Sequence, residues 1–116
     1  MSTDGRPARS SIASPPRWSR ALIIAIVLAS VAGCSKLSQL KAMKSFKSAN
    51  EAYQRQDYKS SAELYEETLQ SNPDLIQAYF YLGNSYDNLW RPNKKGDPGN
   101  DALLRKAIDN YQTAAE

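Results

Sequence analysis

The sequence predicts an all-α chain, and three observations carry that expectation. Residues 21–33 form an uncharged apolar run near the amino terminus. From Ser38 onward, apolar and aromatic residues recur at helical spacing between short breaker-bearing stretches. This part of the chain also aligns with itself at an offset of 34 residues, with Ala49-Asn50 falling on Gly83-Asn84 and Phe46 on Phe80. The length, 116 residues, suits one small domain. Charged residues at 23% and apolar ones at 41% exclude wholesale disorder.

The formal charge of +3 is local. Arg6, Arg9, Arg17 and Arg20 against Asp4 account for all of it within residues 1–33. From Cys34 onward, 11 bases balance 11 acids, and no basic stripe with interleaved aromatics is present. Nucleic acid is therefore not an expected partner. One cysteine and no histidine remove His/Cys metal sites and Ser-His or Cys-His nucleophile pairs. No catalytic residue, metal ligand, cofactor or small-molecule substrate is expected, and the chain does not read as an enzyme.

Taken in order, residues 1–20 are a polar, basic lead broken by Gly5, Pro7, Pro15 and Pro16. The run 21-ALIIAIVLASVAG-33 is shorter than the roughly 20 apolar residues that span a bilayer. With Arg17 and Arg20 as its positive flank, it fits the apolar region of a secretory signal comprising residues 1–33. An uncleaved signal anchor with an incidental cysteine is the other reading. Cys34 by itself could be a nucleophile, a metal ligand, half of an intermolecular disulfide, a buried residue or an attachment point.

The order 31-VAGC-34 at the end of that run resembles the lipobox of bacterial lipoproteins. The resemblance implies a diacylglycerol on Cys34, cleavage between Gly33 and Cys34, and acylation of the new amino terminus. Two or three acyl chains give the stable anchoring that one does not. Residues 34–41 then become a lipidated cysteine and short tether, facing the periplasm of the cell envelope. Ser35, where enteric-type lipoproteins retained at the inner membrane carry aspartate, leans toward the outer membrane. Lys36, Lys41, Lys44 and Lys47 precede the first acid after Cys34, Glu51. A solvated helix face is the preferred reading for them, with attraction to anionic lipid as the alternative.

Residues 42–116 make the folded domain, with helices expected at about 38–55, 58–71, 74–90 and 101–115. Asn72-Pro73-Asp74 separates the second from the third, Asn72 as cap and Asp74 at the positive helix end. The stretch 90-WRPNKKGDPGND-101 reads as a loop insertion of 12 residues relative to the first copy, because Pro and Gly break the helix there. A tolerated surface insertion and a partner-binding element are both open for it. Trp90 is either a core edge or a contact.

The second copy, with Tyr79, Leu82, Gly83 and Tyr86 followed by Ala107 and Tyr111, resembles the tetratricopeptide repeat signature, with tyrosine in place of Trp and Phe. In the first copy Ala49, Ser61, Tyr65, Thr68 and Pro73 hold the corresponding places, and Ala114 matches Thr68. The resemblance implies antiparallel helix-turn-helix units in a right-handed α-solenoid of about two repeats, at 42–75 and 76–116. Small residues at Ala49/Gly83, Ser61/Ala107 and Thr68/Ala114 suit helix axes only 8–10 Å apart. Tyr65, Tyr79, Tyr86, Tyr111 and Leu82 supply apolar bulk.

Such repeats are scaffolds whose first helices line a groove. Carried onto this sequence, the groove residues are Met43, Phe46, Asn50, Tyr53 and Gln54, then Gln77, Phe80, Asn84, Asp87 and Asn88. Phe46 and Phe80 stand where the chaperone-binding subgroup has lysine, so an apolar peptide or helix is the expected protein partner. An ordinary solvated or half-packed face is the alternative for each. Glu116 ends the sequence without a capping signal, which reads as self-association, a covering partner or a truncated frame. The combined expectation is a lipid-anchored, non-catalytic scaffold for protein-protein interaction in the envelope, with envelope or pilus assembly as its candidate setting. The alternatives are the accessory part of a larger envelope enzyme and a fragment of a repeat gene.

Overall fold

The computed structural model describes residues 16–116; residues 1–15 of the polar lead and the side chains of the 31-VA-32 pair lie outside the described residues. Helix α1 spans Arg17–Gln54, α2 Tyr58–Ser71, α3 Ile76–Leu89 and α4 Pro98–Ala115, with a 3-10 turn at Pro92–Lys94. No strand occurs among the described residues. The chain divides into two units, Met1–Gly33 and Cys34–Glu116.

In the first unit the described part of α1 exposes Leu22, Ile23, Ile24, Ile26, Val27 and Leu28. By length and composition α1 is apolar enough to cross a membrane, a property shared by signal sequences and spanning helices. The limit read from the uncharged run is thus loosened, because the helix adds flanking residues to it.

In the second unit, α1 already includes residues 34–41, so the stretch expected to be a tether is helical. α1 ends where Gln56 adopts the left-handed conformation at φ 59°, and the Asp57 amide donates back to the Ala52 carbonyl at 3.0 Å. Asp57 then caps α2, its carboxylate accepting from the Ser60 amide at 3.2 Å. Asn72 does not cap α3 as the sequence suggested. It closes α2 through its own amide on the Thr68 carbonyl, and its Oδ1 accepts from the Asp74 amide. α3 begins at Ile76 without a side-chain cap, two residues later than expected. α4 begins earlier than expected, with Asp97 as cap and Pro98 in the first turn.

The core comprises Ala49, Ala62, Tyr65, Ala78, Leu82, Tyr86 and Ala107, with Phe46, Tyr53, Leu64, Leu69, Leu75, Tyr81, Leu89, Leu103 and Tyr111 packed around it. Fully buried small residues let the helices approach. Ser61 on α2 and Ser85 on α3 are both inaccessible, and their hydroxyls bond each other at 2.8 Å, so neither polar group is stranded. Tyr79 differs from expectation. It lies outside the core and donates to the Pro73 carbonyl at 2.9 Å, while Tyr81 stacks on Tyr65 in its stead. Pro73 itself is exposed in the turn between α2 and α3.

One packing motif occurs twice. Phe46 meets Tyr65 with centroids 5.9 Å apart at 59°, and Phe80 meets Tyr111 at 5.9 Å and 55°. The phenylalanines are 34 residues apart and the tyrosines 46, the difference being the insertion between α3 and α4.

Candidate functional site

The groove candidates of the first copy gather along α1, and Gln77 of the second copy joins them from the start of α3. Phe46, Asn50, Tyr53 and Gln54 of α1 line a cavity of about 360 Å³ with Gln77 and Tyr81 of α3. A second cavity of about 500 Å³ shares Phe46, Asn50 and Gln54 and adds Met43, Lys47, Glu51 and Leu75. Both are open clefts on the helix surface. Helical spacing explains the α1 set, since positions 43, 46, 50 and 54 recur every three or four residues along one side.

Two tyrosine-asparagine pairs fix the polar groups there. Tyr65 Oη donates to Asn50 Oδ1 at 2.6 Å, and Tyr53 Oη donates to Asn84 Oδ1 at 3.1 Å. Asn88 Nδ2 adds a second donor to Asn84 Oδ1 at 3.0 Å. With the carbonyl oxygen engaged in each amide, the Nδ2 donors of Asn50 and Asn84 remain unused among the described residues. An extended backbone or a polar residue on a helix offers the carbonyls that such donors bind.

Phe46, Tyr53 and Tyr81 give the cavity an aromatic wall, with Tyr65 and Phe80 packed behind it. Tyr81 stacks on Tyr65 at 5.9 Å and meets Tyr53 edge-on at 5.4 Å, and Phe80 meets Tyr81 at 5.4 Å. Burial is the main cause raising the Tyr65 and Tyr53 phenols above their usual range, with neighbouring tyrosines next. These hydroxyls thus stay neutral at ordinary pH and serve as donors. The chemistry offered is apolar contact and hydrogen bonding, and among the described residues no group of three or more acids or cysteines forms a metal site.

The second-copy candidates other than Gln77 are placed differently. Phe80 is 46% exposed beside Tyr81 and Tyr111 and does not line either cavity. Asn84 joins the site through Tyr53 alone, and Asp87 lies against the Tyr111 phenol, which burial and then that carboxylate hold above its usual range. Asn88 is exposed at the end of the same face.

The insertion is ordered by groups that sequence reasoning did not single out. Asn100, buried, accepts from the Arg91 amide at 2.8 Å and donates to the Arg91 carbonyl at 2.9 Å. Asp101 accepts from the Gly96 amide, where Gly96 sits at φ 97°. Trp90 is half-buried, and its buried Nε1 has no hydrogen-bond partner among the described residues. Cys34 is exposed and free of disulfides, and nothing within 4 Å would meet a β-carbon at Gly33.

Compared with known protein families, curated proteins and solved structures, the chain matches none.

Proposed function

We propose that this protein is a bacterial lipoprotein, anchored through lipid on Cys34, whose tetratricopeptide-like helices hold another protein at the periplasmic face of the cell envelope. One observation carries the binding role: Asn50, held by Tyr65, lines an aromatic cleft, and Asn84 adjoins it through its bond from Tyr53, each with an amide donor to spare. The recurrence of the Phe46–Tyr65 pair as Phe80–Tyr111 supports the repeat reading. The apolar segment ending at an exposed Cys34 supports the anchor. The ligand is a peptide or helix with apolar side chains for Phe46 and Tyr81 and carbonyls for the asparagines.

Partner capture from detergent-solubilised envelope tests the cleft. The Phe46→Ala/Phe80→Ala chain loses bands that the wild type retains, and identical profiles would sink the groove assignment. The anchor is tested by mass spectrometry of the membrane fraction, where acyl mass on Cys34 is expected at a new amino terminus. A Cys34→Ala chain still cleaved after Gly33 and still membrane-bound would overturn it. A second reading, an uncleaved signal anchor, draws on α1 running unbroken from Arg17 through Cys34 to Gln54. Residues 1–33 retained on the membrane protein would establish that reading instead.

A further inference from the structure

Within residues 34–50, Ala42, Ser45 and Ala49 are buried, which fixes the side of α1 turned to the core. At 3.6 residues per turn, positions 36, 40, 44 and 47 fall on the opposite side. There Leu40 is 66% exposed and its neighbours Leu37 and Met43 are 69% and 70% exposed. Lys36, Lys44 and Lys47 are interleaved with them and also exposed. Lys41 is turned away, its Nζ 3.9 Å from the Glu67 carboxylate of α2. Met43 and Lys47 form the shared edge between this stripe and the cleft.

Charge is divided sharply along the chain. Residues 34–50 carry four lysines and no acid, whereas residues 51–116 carry seven bases against 11 acids. A negatively charged plane would attract the first segment and repel the second. Leucine and methionine among lysines suit shallow burial at a lipid interface with ammonium groups at headgroup level. The polar groups of the stripe are lysine ammoniums, point charges on flexible stems that suit a fluid headgroup layer better than the fixed geometry of an acidic protein surface. Leu40 is six residues from Cys34, about 9 Å along a helix. Acyl chains on Cys34 therefore hold this face within reach of the bilayer.

We infer that the Lys36–Leu37–Leu40–Lys44 face of α1 lies on the anionic lipid surface, so that the anchored domain is held flat in a defined orientation with its cleft accessible. The inference rests on the lipid anchor proposed above. Electrostatic attraction brings the face to the membrane, and the leucines add apolar contact once there.

The test uses the mature chain isolated from membranes, carrying Leu40→Cys and labelled with an environment-sensitive nitrobenzoxadiazole dye. Acylation consumes the Cys34 thiol, so the introduced thiol alone takes the dye. In phosphatidylcholine vesicles containing phosphatidylglycerol, the dye emission shifts to the blue and lipid-borne nitroxide quenches it. In phosphatidylcholine alone the shift is several-fold smaller. Dye at exposed Lys59→Cys on α2 shows neither effect, and Lys36→Gln/Lys44→Gln/Lys47→Gln removes the lipid dependence. An unshifted spectrum at position 40 with Cys34 acylated overturns this inference alone. A shift that follows protein density in the vesicle overturns it in favour of a second copy covering the stripe. Dye found on Cys34 itself overturns the anchor, and this inference with it.

Discussion

The ring of Tyr111 rests against Gly83: a β-carbon at that position would stand 3.0 Å from Tyr111 Cδ1 and 3.1 Å from the Ala107 carbonyl oxygen. Ring atoms could swing aside, but a backbone carbonyl moves only with its helix. α3 and α4 therefore touch with room for hydrogen alone. Gly83→Val should cost about 1–3 kcal/mol, the range for forcing methyl groups into a packed site. Gly83→Ala should cost less, because alanine regains roughly 1 kcal/mol of helix propensity. Urea unfolding followed by helicity reads both, and a Gly83→Val midpoint equal to wild type would refute the close approach.

Asn100 closes the insertion by bonding both backbone groups of Arg91. Alanine there leaves the Arg91 amide and carbonyl without these partners, a change of about 1–3 kcal/mol where the groups stay dry. The larger effect should be local. Trypsin should cut Asn100→Ala after Lys94 or Lys95 well before it cuts wild type. Equal cleavage rates would show that the 3-10 turn holds the loop without the clamp.

Alkaline pH should destabilise the domain from the range in which free tyrosine begins to ionise. Burial lifts Tyr65 and Tyr86 well above the usual phenol value, and at Tyr86 the hydrogen bond to the Glu66 carboxylate adds to it. A raised folded-state value means these groups stabilise the fold fully below the unfolded value of about 10, and that contribution is lost as pH climbs above it. Urea midpoints should hold steady to about pH 9 and then fall. Tyr65→Phe and Tyr86→Phe should each flatten that fall, and an unchanged slope in both would remove the tyrosines as its cause.

Much of this packing could be read from residue types, because close helix contacts admit only small side chains. Ala49, Ser61, Gly83 and Ala107 were legible for that reason, and all are buried. Phe46, Asn50 and Tyr53 were legible as one face of α1 because helical spacing is local arithmetic, whereas Gln77 reaches the cleft from α3 and was singled out only through the repeat resemblance. Tyr79 and Tyr81 were not separable: two tyrosines two positions apart on α3 face different ways, and only the placement of α2 decides which stacks on Tyr65. The Asn100 clamp was illegible, since its partner is a backbone nine residues upstream and loop asparagines are common. The helical 34–41 segment did leave a trace, as neither glycine nor proline occurs between Gly33 and Pro73. That trace competed with the expectation of a tether after a lipidated cysteine.

Ala62 and Ile108 hold matched positions on α2 and α4, displaced by the same 46 residues as Tyr65 and Tyr111. Their surroundings are opposite, since Ala62 is 4% exposed and Ile108 46%. α3 packs against α2, which buries the first position, and no helix among the described residues covers the second to that degree. The two substitutions that exchange these residue types should therefore differ in effect. Ala62→Ile should cost about 1–3 kcal/mol through overpacking. Ile108→Ala removes a half-exposed side chain and gains a better helix former, so its midpoint should stay within about 0.5 kcal/mol of wild type. Urea unfolding of both chains in the same detergent decides the matter. Equal losses would mean that Ile108 is covered in solution, and would point to a second copy or a partner seated on α4.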